Sequence, residues 1–86
     1  MHLHVATSLH NLAVLYRAQE RHVEAEPLFA RAVTILEEAL GTDHLDTALA
    51  LENHALLLRE MQRVEEANRL GARVKAIRAK HAEASP

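Results

Sequence analysis

The fold is decided by residues 6–44, which read ATSLHNLAVLYRAQERHVEAEPLFARAVTILEEALGTDH. A first set of apolar residues has the i, i+3, i+4, i+7 spacing that gives a helix one apolar face: Leu9, Leu12, Ala13 and Tyr16. A second set with helical spacing follows a short polar turn at residues 20–22: Ala25, Leu28, Phe29, Ala32 and Leu36. The stretch therefore predicts two helices joined by a turn.

The residues that bound these helices can also be predicted. Pro27 is expected in the first turn of the second helix, where a missing N–H is tolerated. Gly41 follows Leu40 and is expected to end that helix with a positive φ. Hydroxyl and carboxylate side chains then precede the next apolar stretch and are expected to cap its helix: Thr42, Asp43, Asp46 and Thr47.

The chain repeats itself with a period of 42 residues. When it is shifted by that period, 15 of the 44 aligned pairs are identical, among them Asn11 with Asn53 and Leu15 with Leu57. The second copy carries its own helical apolar spacing: Leu51, Ala55 and Leu58, then Ala67, Leu70, Val74 and Ile77. We predict an all-α domain over residues 1–86 with four antiparallel helices in two hairpins. Repeat one covers about 2–43, repeat two about 44–82, and the tail 83–86.

Composition narrows the function classes. The 86 residues include no cysteine, so disulfide and thiolate chemistry are excluded, and no apolar run reaches the length of a membrane span. The first residues do not resemble a signal peptide, and we expect a cytoplasmic protein without a membrane partner. Residues 63–80 carry a net charge of +4 in a chain of net charge −2. Nucleic acid is disfavoured because no aromatic residues lie among these cations.

The quoted stretch resembles a tetratricopeptide repeat of the kinesin light chain type, whose long repeat runs in the style of "LNNLAVLY…EAEPLY.RAL…LG.DHPDVA". The resemblance is strongest over residues 2–44 and looser over 45–80, and the closing VKAIRAKHA is similar to the last repeat of bacterial members. It implies a stack of helix hairpins, an α-solenoid fragment, in which the first helix of each repeat lines a groove that receives peptides.

The chain departs from that pattern at several positions. Glu20 and Gln62 replace the usual turn glycine, so we expect less tight turns, and Leu3 and Leu45 replace the usual proline after His. In the second copy Gly71 replaces the plug residue Phe29, and His54 replaces Leu12, a predicted core position. These changes predict a second repeat that is less well packed, as is common in terminal repeats.

No pattern of catalytic or metal-binding residues is present. His2 and His4 form at most a weak two-ligand pair, and no cysteine or HExxH spacing completes a zinc site. His54 is expected to be a core histidine with a local partner. Adjacent glutamates point apart on a helix, and both glycines are isolated, which disfavours paired-carboxylate and phosphate-loop chemistry. We predict a protein that is not an enzyme and has no cofactor or metal.

A binding face is the constellation that the sequence favours. On the first helix it comprises Thr7, Asn11, Val14 and Ala18, flanked by His10 and Arg17. On the third helix it comprises Leu49, Asn53, Leu56 and Glu60, flanked by Glu52 and Arg59. Amide side chains suit a peptide backbone and Arg suits a carboxylate. The resemblance assigns peptide contacts to Asn11 and Asn53; alternatively, both bond within the fold.

We therefore expect a protein–protein interaction scaffold that presents a concave helical surface to a peptide or protein. The alternative is a structural C-terminal capping piece of a longer solenoid, with no ligand of its own. Residues 1–16 carry no Asp, Glu, Lys or Arg, and an exposed apolar helix of this kind predicts a homo-oligomer.

Overall fold

The structure, a computed structural model, describes residues 3–84 and contains four helices there: α1 (Leu3–Ala18), α2 (His22–Leu40), α3 (Leu45–Glu60) and α4 (Val64–Ala84). Residues 1, 2, 85 and 86 lie outside the described residues, and with them His2 and the end of the predicted tail. The pairs α1–α2 and α3–α4 form hairpins, and α2 packs against α3. The predicted all-α fold of two helix–turn–helix repeats is confirmed.

Both hairpin turns are tight, so the prediction of looser turns is wrong. Glu20 and Gln62 adopt the left-handed region, with φ of 60° and 66°. In the first turn the Arg21 N–H donates to the Tyr16 carbonyl at 2.9 Å, and the Glu20 N–H donates to the Arg17 carbonyl at 2.9 Å. This is the hydrogen-bond pattern of a Schellman motif. The second turn has the same pattern of hydrogen bonds. In each turn one non-glycine residue, Glu20 or Gln62, adopts a conformation that costs glycine less conformational energy.

Pro27 is the sixth residue of α2, so it does not lie in the first turn as predicted. Its missing N–H leaves the Val23 carbonyl without an α-helical donor. Val23 is 79% exposed, so the start of α2 is a place where water can supply that hydrogen bond.

The connection between the hairpins differs from the predicted capping scheme. Gly41 ends α2 with a φ of 96°, as expected. The N-cap of α3 is His44, whose Nδ1 accepts the Asp46 N–H at 3.0 Å. Thr47 instead donates its hydroxyl to the Gly41 carbonyl at 3.0 Å and is fully buried. The prediction that hydroxyl and carboxylate side chains cap α3 is therefore wrong, because an imidazole nitrogen takes that role.

The core runs through the junction between the hairpins. One buried cluster joins Phe29 of α2 to Leu57 of α3, together with Ala13 and Ala25. A second joins α2, α3 and α4: Val33, Ala48, Ala50, Leu51, Val74 and Ile77. Leu12, predicted to be a core residue, is 40% exposed because no described element packs over that side of α1.

Candidate functional site

A depression of about 310 Å³ lies between α1 and α3, and we call it the groove. Its lining comprises Ala6, Thr7, His10, Asn11, Leu36, Asp46, Leu49 and Ala50. Four of the predicted site residues therefore lie together here, because α1 and α3 are the first helices of stacked hairpins. The floor is formed by small or aliphatic side chains, with polar groups of α1 and α3 around it.

Asn11 is an exposed residue of the groove. Its side chain makes no hydrogen bond to any residue that the structure describes. Val14 and Leu56 are also exposed and lie further along the same two helices. An amide with two free donors and a free acceptor next to apolar surface can bind a peptide backbone from outside.

Asn53 is already engaged within the fold. Its Nδ2 lies 3.0 Å from Nε2 of His10, which connects α3 to α1 beneath the groove. Because an amide nitrogen only donates, this arrangement makes Nε2 of His10 the acceptor and leaves the ring neutral with its proton on Nδ1. Nδ1 is buried without a partner among the described residues. The two equivalent asparagines therefore have different environments.

Two histidines enclose Phe29 at the junction between the hairpins. The His10 ring meets Phe29 edge to face with centroids 5.5 Å apart, and the His54 ring stacks on it at 6.2 Å. Burial lowers the pKa of both histidines. For His54 the nearby Glu26 opposes this lowering of the pKa without cancelling it. The aromatic centre of the molecule therefore carries two imidazoles that resist protonation.

The side chain of His54 faces a partner that is distant in sequence, not a local one as predicted. Its Nε2 is 3.7 Å from Glu26, too far for a hydrogen bond. Arg63 lies in the same cluster, bonded to Glu26 at 2.5 Å and to Glu66 at 2.6 Å and 2.8 Å. The pKa of Arg63 is raised and that of Glu66 is lowered, in each case mainly by their mutual hydrogen bonds. This cluster connects the hairpins on the side of the turns.

Arg17 is committed to an ion pair at the far end of α1. It donates to Glu60 of α3 through Nε at 3.1 Å and through a terminal nitrogen at 2.9 Å. His22 approaches the same carboxylate at 3.5 Å. Arg17 is predicted to bind a carboxylate of a ligand. In the structure it binds the carboxylate of Glu60, a residue of the fold.

Glu52 and Arg59 are turned toward α4, not toward the groove. Glu52 accepts two hydrogen bonds from Arg78 at 2.9 Å and 3.1 Å, which lower its pKa and raise that of Arg78. The Arg59 guanidinium lies over Gly71, 3.5 Å from where a Cβ would sit. Both are predicted to flank the α3 part of the binding face, and in the structure each lies beside α4, the partner helix of its own hairpin.

Sequence reasoning missed four residues of the groove: Ala6, Leu36, Asp46 and Ala50. The sequence predicts Asp46 to be a capping residue and Leu36 to lie on the apolar face of its helix. The sequence signal for Asp46 was its position one turn before Leu49 on α3, which places both on one helix face.

Residues 3–84 contain no helix long and apolar enough to cross a membrane. In the same range no three His, Asp or Glu side chains are grouped as metal ligands.

Two equivalent helix hairpins, stacked through a shared core, define an all-α helical-repeat protein. The tetratricopeptide repeat family model matches residues 4–80, and the chain belongs to this family. Comparison with curated proteins gave no match. Tetratricopeptide repeats generally mediate protein–protein interactions.

Proposed function

We propose that this chain is a protein-interaction scaffold that receives an extended segment of a partner protein in the groove between α1 and α3. The observation that carries the proposal is the exposed residue Asn11, whose side chain has no hydrogen-bond partner among residues 3–84, beside a floor of small and aliphatic residues. Asn11 supplies hydrogen bonds to the segment's backbone, and Leu49 with Leu36 supplies apolar contact. Asn53 has a positioning role, because it holds His10 beneath the groove.

The test uses peptides selected from a random library against the whole chain. Asn11→Ala should weaken binding several-fold, because a hydrogen bond contributes about 0.5–1.5 kcal/mol, and the melting temperature should hardly change. The matched control is Asn68→Ala, which removes an exposed amide from α4. Equal affinity for wild type and Asn11→Ala would contradict the proposal. By contrast, Asn53→Ala should also lower the melting temperature.

We further propose that the chain is of the kinesin light chain type. The 42-residue sequence period supports this, together with second helices of 19 and 21 residues. These lengths account for the residues added to the ordinary 34-residue repeat.

The second candidate function is a C-terminal cap of a longer solenoid. In the first repeat, one side of α2 packs against α3. The equivalent side of α4 in the second repeat has a different composition, and this difference favours the cap. There Phe29, Val33 and Leu36 of the first repeat correspond to Gly71, Lys75 and Arg78 of the second. A surface of this kind gives a further hairpin little apolar area to cover. If library selection yields no peptide whose binding depends on the groove, this function is favoured over the scaffold.

We also propose self-association through the outer side of α1. Leu12 and Leu15 are 40% and 53% exposed, and residues 3–16 contain no Asp, Glu, Lys or Arg to oppose contact between copies. Light scattering after gel filtration at tens of micromolar should give at least twice the 9.6 kDa monomer mass. Leu15→Glu should lower that mass. A folded wild-type species at 9.6 kDa would contradict the proposal.

A further inference from the structure

The charge of the groove rests on one side chain. Asp46 is the only Asp, Glu, Lys or Arg among the groove residues given above. Its carboxylate is exposed, and the nearest basic group is Nδ1 of His44 at 3.9 Å. That nitrogen accepts the Asp46 N–H, so it presents a lone pair there and not a proton. Among the groove residues that the structure describes, no Lys or Arg therefore balances this carboxylate.

Two further groups on the described part of this face, His10 and the Arg17–Glu60 pair, do not compensate this charge. Burial lowers the pKa of His10, and its Nε2 accepts from Asn53, so the ring is neutral at pH 7. At the other end of α3, Glu60 lies 14 residues from Asp46, about 21 Å along the helix. There Arg17 and Glu60 neutralise each other. The surface between α1 and α3 is therefore negative at Asp46, neutral at His10 and without net charge at the Arg17–Glu60 pair.

The shape of the groove limits what can enter it. A volume of about 310 Å³ lies at the lower end of the range for small-molecule pockets, roughly 300–1,000 Å³. It has room for one or two side chains of a longer ligand. Ala6 and Ala50 are buried at the base of the groove, and the side chains of Leu36 and Leu49 make its interior apolar.

We infer that the groove selects an extended peptide segment that carries a lysine or arginine next to an aliphatic residue. The cation lies against the Asp46 carboxylate, the aliphatic side chain enters between Leu36 and Leu49, and the backbone bonds to Asn11. The inference rests on the proposed scaffold function and adds a charge preference to it. It reverses the expectation from sequence, in which arginines of the face receive a carboxylate, because Arg17 is paired with Glu60 and Arg59 lies over Gly71 of α4.

The test uses three hexapeptides of alanine and leucine that differ at one central position, which holds Lys, Gln or Glu. Each is titrated into the ¹⁵N-labelled chain at pH 7, and the shifts of the Asn11 side-chain amide and the Leu49 backbone amide give the affinity. The Lys peptide should bind about two- to five-fold more tightly than the Gln peptide, as expected for an exposed ion pair. The Glu peptide should bind more weakly than both, and about 0.5 M salt should reduce the differences.

Asp46→Asn identifies the carboxylate responsible. In this variant the Lys and Gln peptides should bind with equal affinity. The matched control is Asp43→Asn, which removes a carboxylate that pairs with Lys80 outside the groove and should keep the Lys preference. Circular dichroism establishes that both variants are folded.

The outcomes separate the charge preference from the scaffold function. If all three peptides bind equally and Asn11→Ala weakens them all, the charge preference is overturned and the groove remains a peptide site. A Lys preference that survives Asp46→Asn also overturns it. If none of the peptides shifts Asn11 or Leu49 at millimolar concentration, both the preference and the scaffold function are contradicted.

Discussion

Leu15 and Leu57 occupy equivalent positions of the two repeats, yet Leu15 is 53% exposed and Leu57 is fully buried. Leu57 packs with Phe29 and Ala25 of the preceding hairpin, whereas no described element covers Leu15. The same residue in the same local sequence therefore has opposite environments. In a repeat protein the neighbouring hairpin decides which first-helix residues are core residues.

The opposite ends of the stack differ in chemistry as well as in burial. Phe29 and Val33 fill the junction from α2, whereas the equivalent residues of α4 are Gly71 and Lys75. Exposed Leu12 and Leu15 make the outer side of α1 apolar, whereas Gly71 and Lys75 make the outer side of α4 small and polar. With this asymmetry, a further hairpin or a second copy has apolar area to cover at α1 and little apolar area to cover at α4.

The largest effect is expected at Phe29, the residue that distinguishes the two junction faces most. Phe29→Ala should cost about 3–5 kcal/mol of unfolding free energy, because a fully buried aromatic ring leaves a cavity when it is removed. The ring also separates His10 from His54. Urea denaturation measures the change, with half-buried Leu28→Ala as the control of smaller cost. A loss below about 1 kcal/mol for Phe29→Ala would show that the hairpins are not held together at this junction.

The next effect tests the comparison of equivalent leucines directly. Leu57→Ala should cost about 2–5 kcal/mol, whereas Leu15→Ala should stay within roughly 0.5 kcal/mol. Unfolding is measured at low micromolar concentration, so that self-association through α1 contributes little. Similar costs at the two positions would mean that the outer side of α1 is covered in solution.

Much of this architecture could be predicted from the sequence, since it depends on local patterns. Helical spacing of apolar residues gave the four helices, and the 42-residue period gave their grouping into two hairpins. Gly41 was correctly expected to end α2 with a positive φ. The clustering of Thr7, His10, Asn11 and Leu49 also followed, because equivalent faces of stacked first helices lie side by side.

What could not be predicted depends on partners far away in sequence. Arg17 pairs with Glu60, which is 43 residues away in the sequence, and Arg78 pairs with Glu52, which is 26 residues away. No local pattern tells which of several carboxylates a guanidinium will reach. The place of Asp46 in the groove could not be predicted for the same reason. The sequence around Asp46 indicates only its position at the start of α3, whereas the groove also requires residues of α1.

The two histidines at the junction predict a pH dependence of stability. Their pKa values lie below the ordinary 6.5 in the folded chain, so the unfolded chain binds more protons as the pH falls below about 6.5. Their contribution to stability is complete above that pH and is lost as the pH falls through the folded pKa values. The melting temperature should therefore decrease between about pH 7 and 5, before carboxylate effects dominate.

Substitution of these histidines isolates their share of the pH dependence. His54→Gln and His10→Gln should each flatten the dependence of melting temperature on pH, and the double variant should flatten it most. A double variant with the wild-type dependence would contradict the assignment. Glu26 and Arg63, the charged groups nearest His54, are unchanged in these variants.

The smallest effect concerns Gly71, the counterpart of Phe29 and a residue inside α4. Gly71→Ala should raise the unfolding free energy by about 0.5–1 kcal/mol, because glycine in a helix loses more backbone entropy on folding than alanine does. A Cβ at this position would lie 3.5 Å from the Arg59 guanidinium, an ordinary van der Waals distance. The matched control is Ala72→Gly at the next position, exposed on the same helix, which should cost about the same amount. If Gly71→Ala lowers the melting temperature while Ala72→Gly behaves as expected, the outer side of α4 packs closely against another surface in solution. The contrast between a coverable end at α1 and a closed end at α4 would then fail.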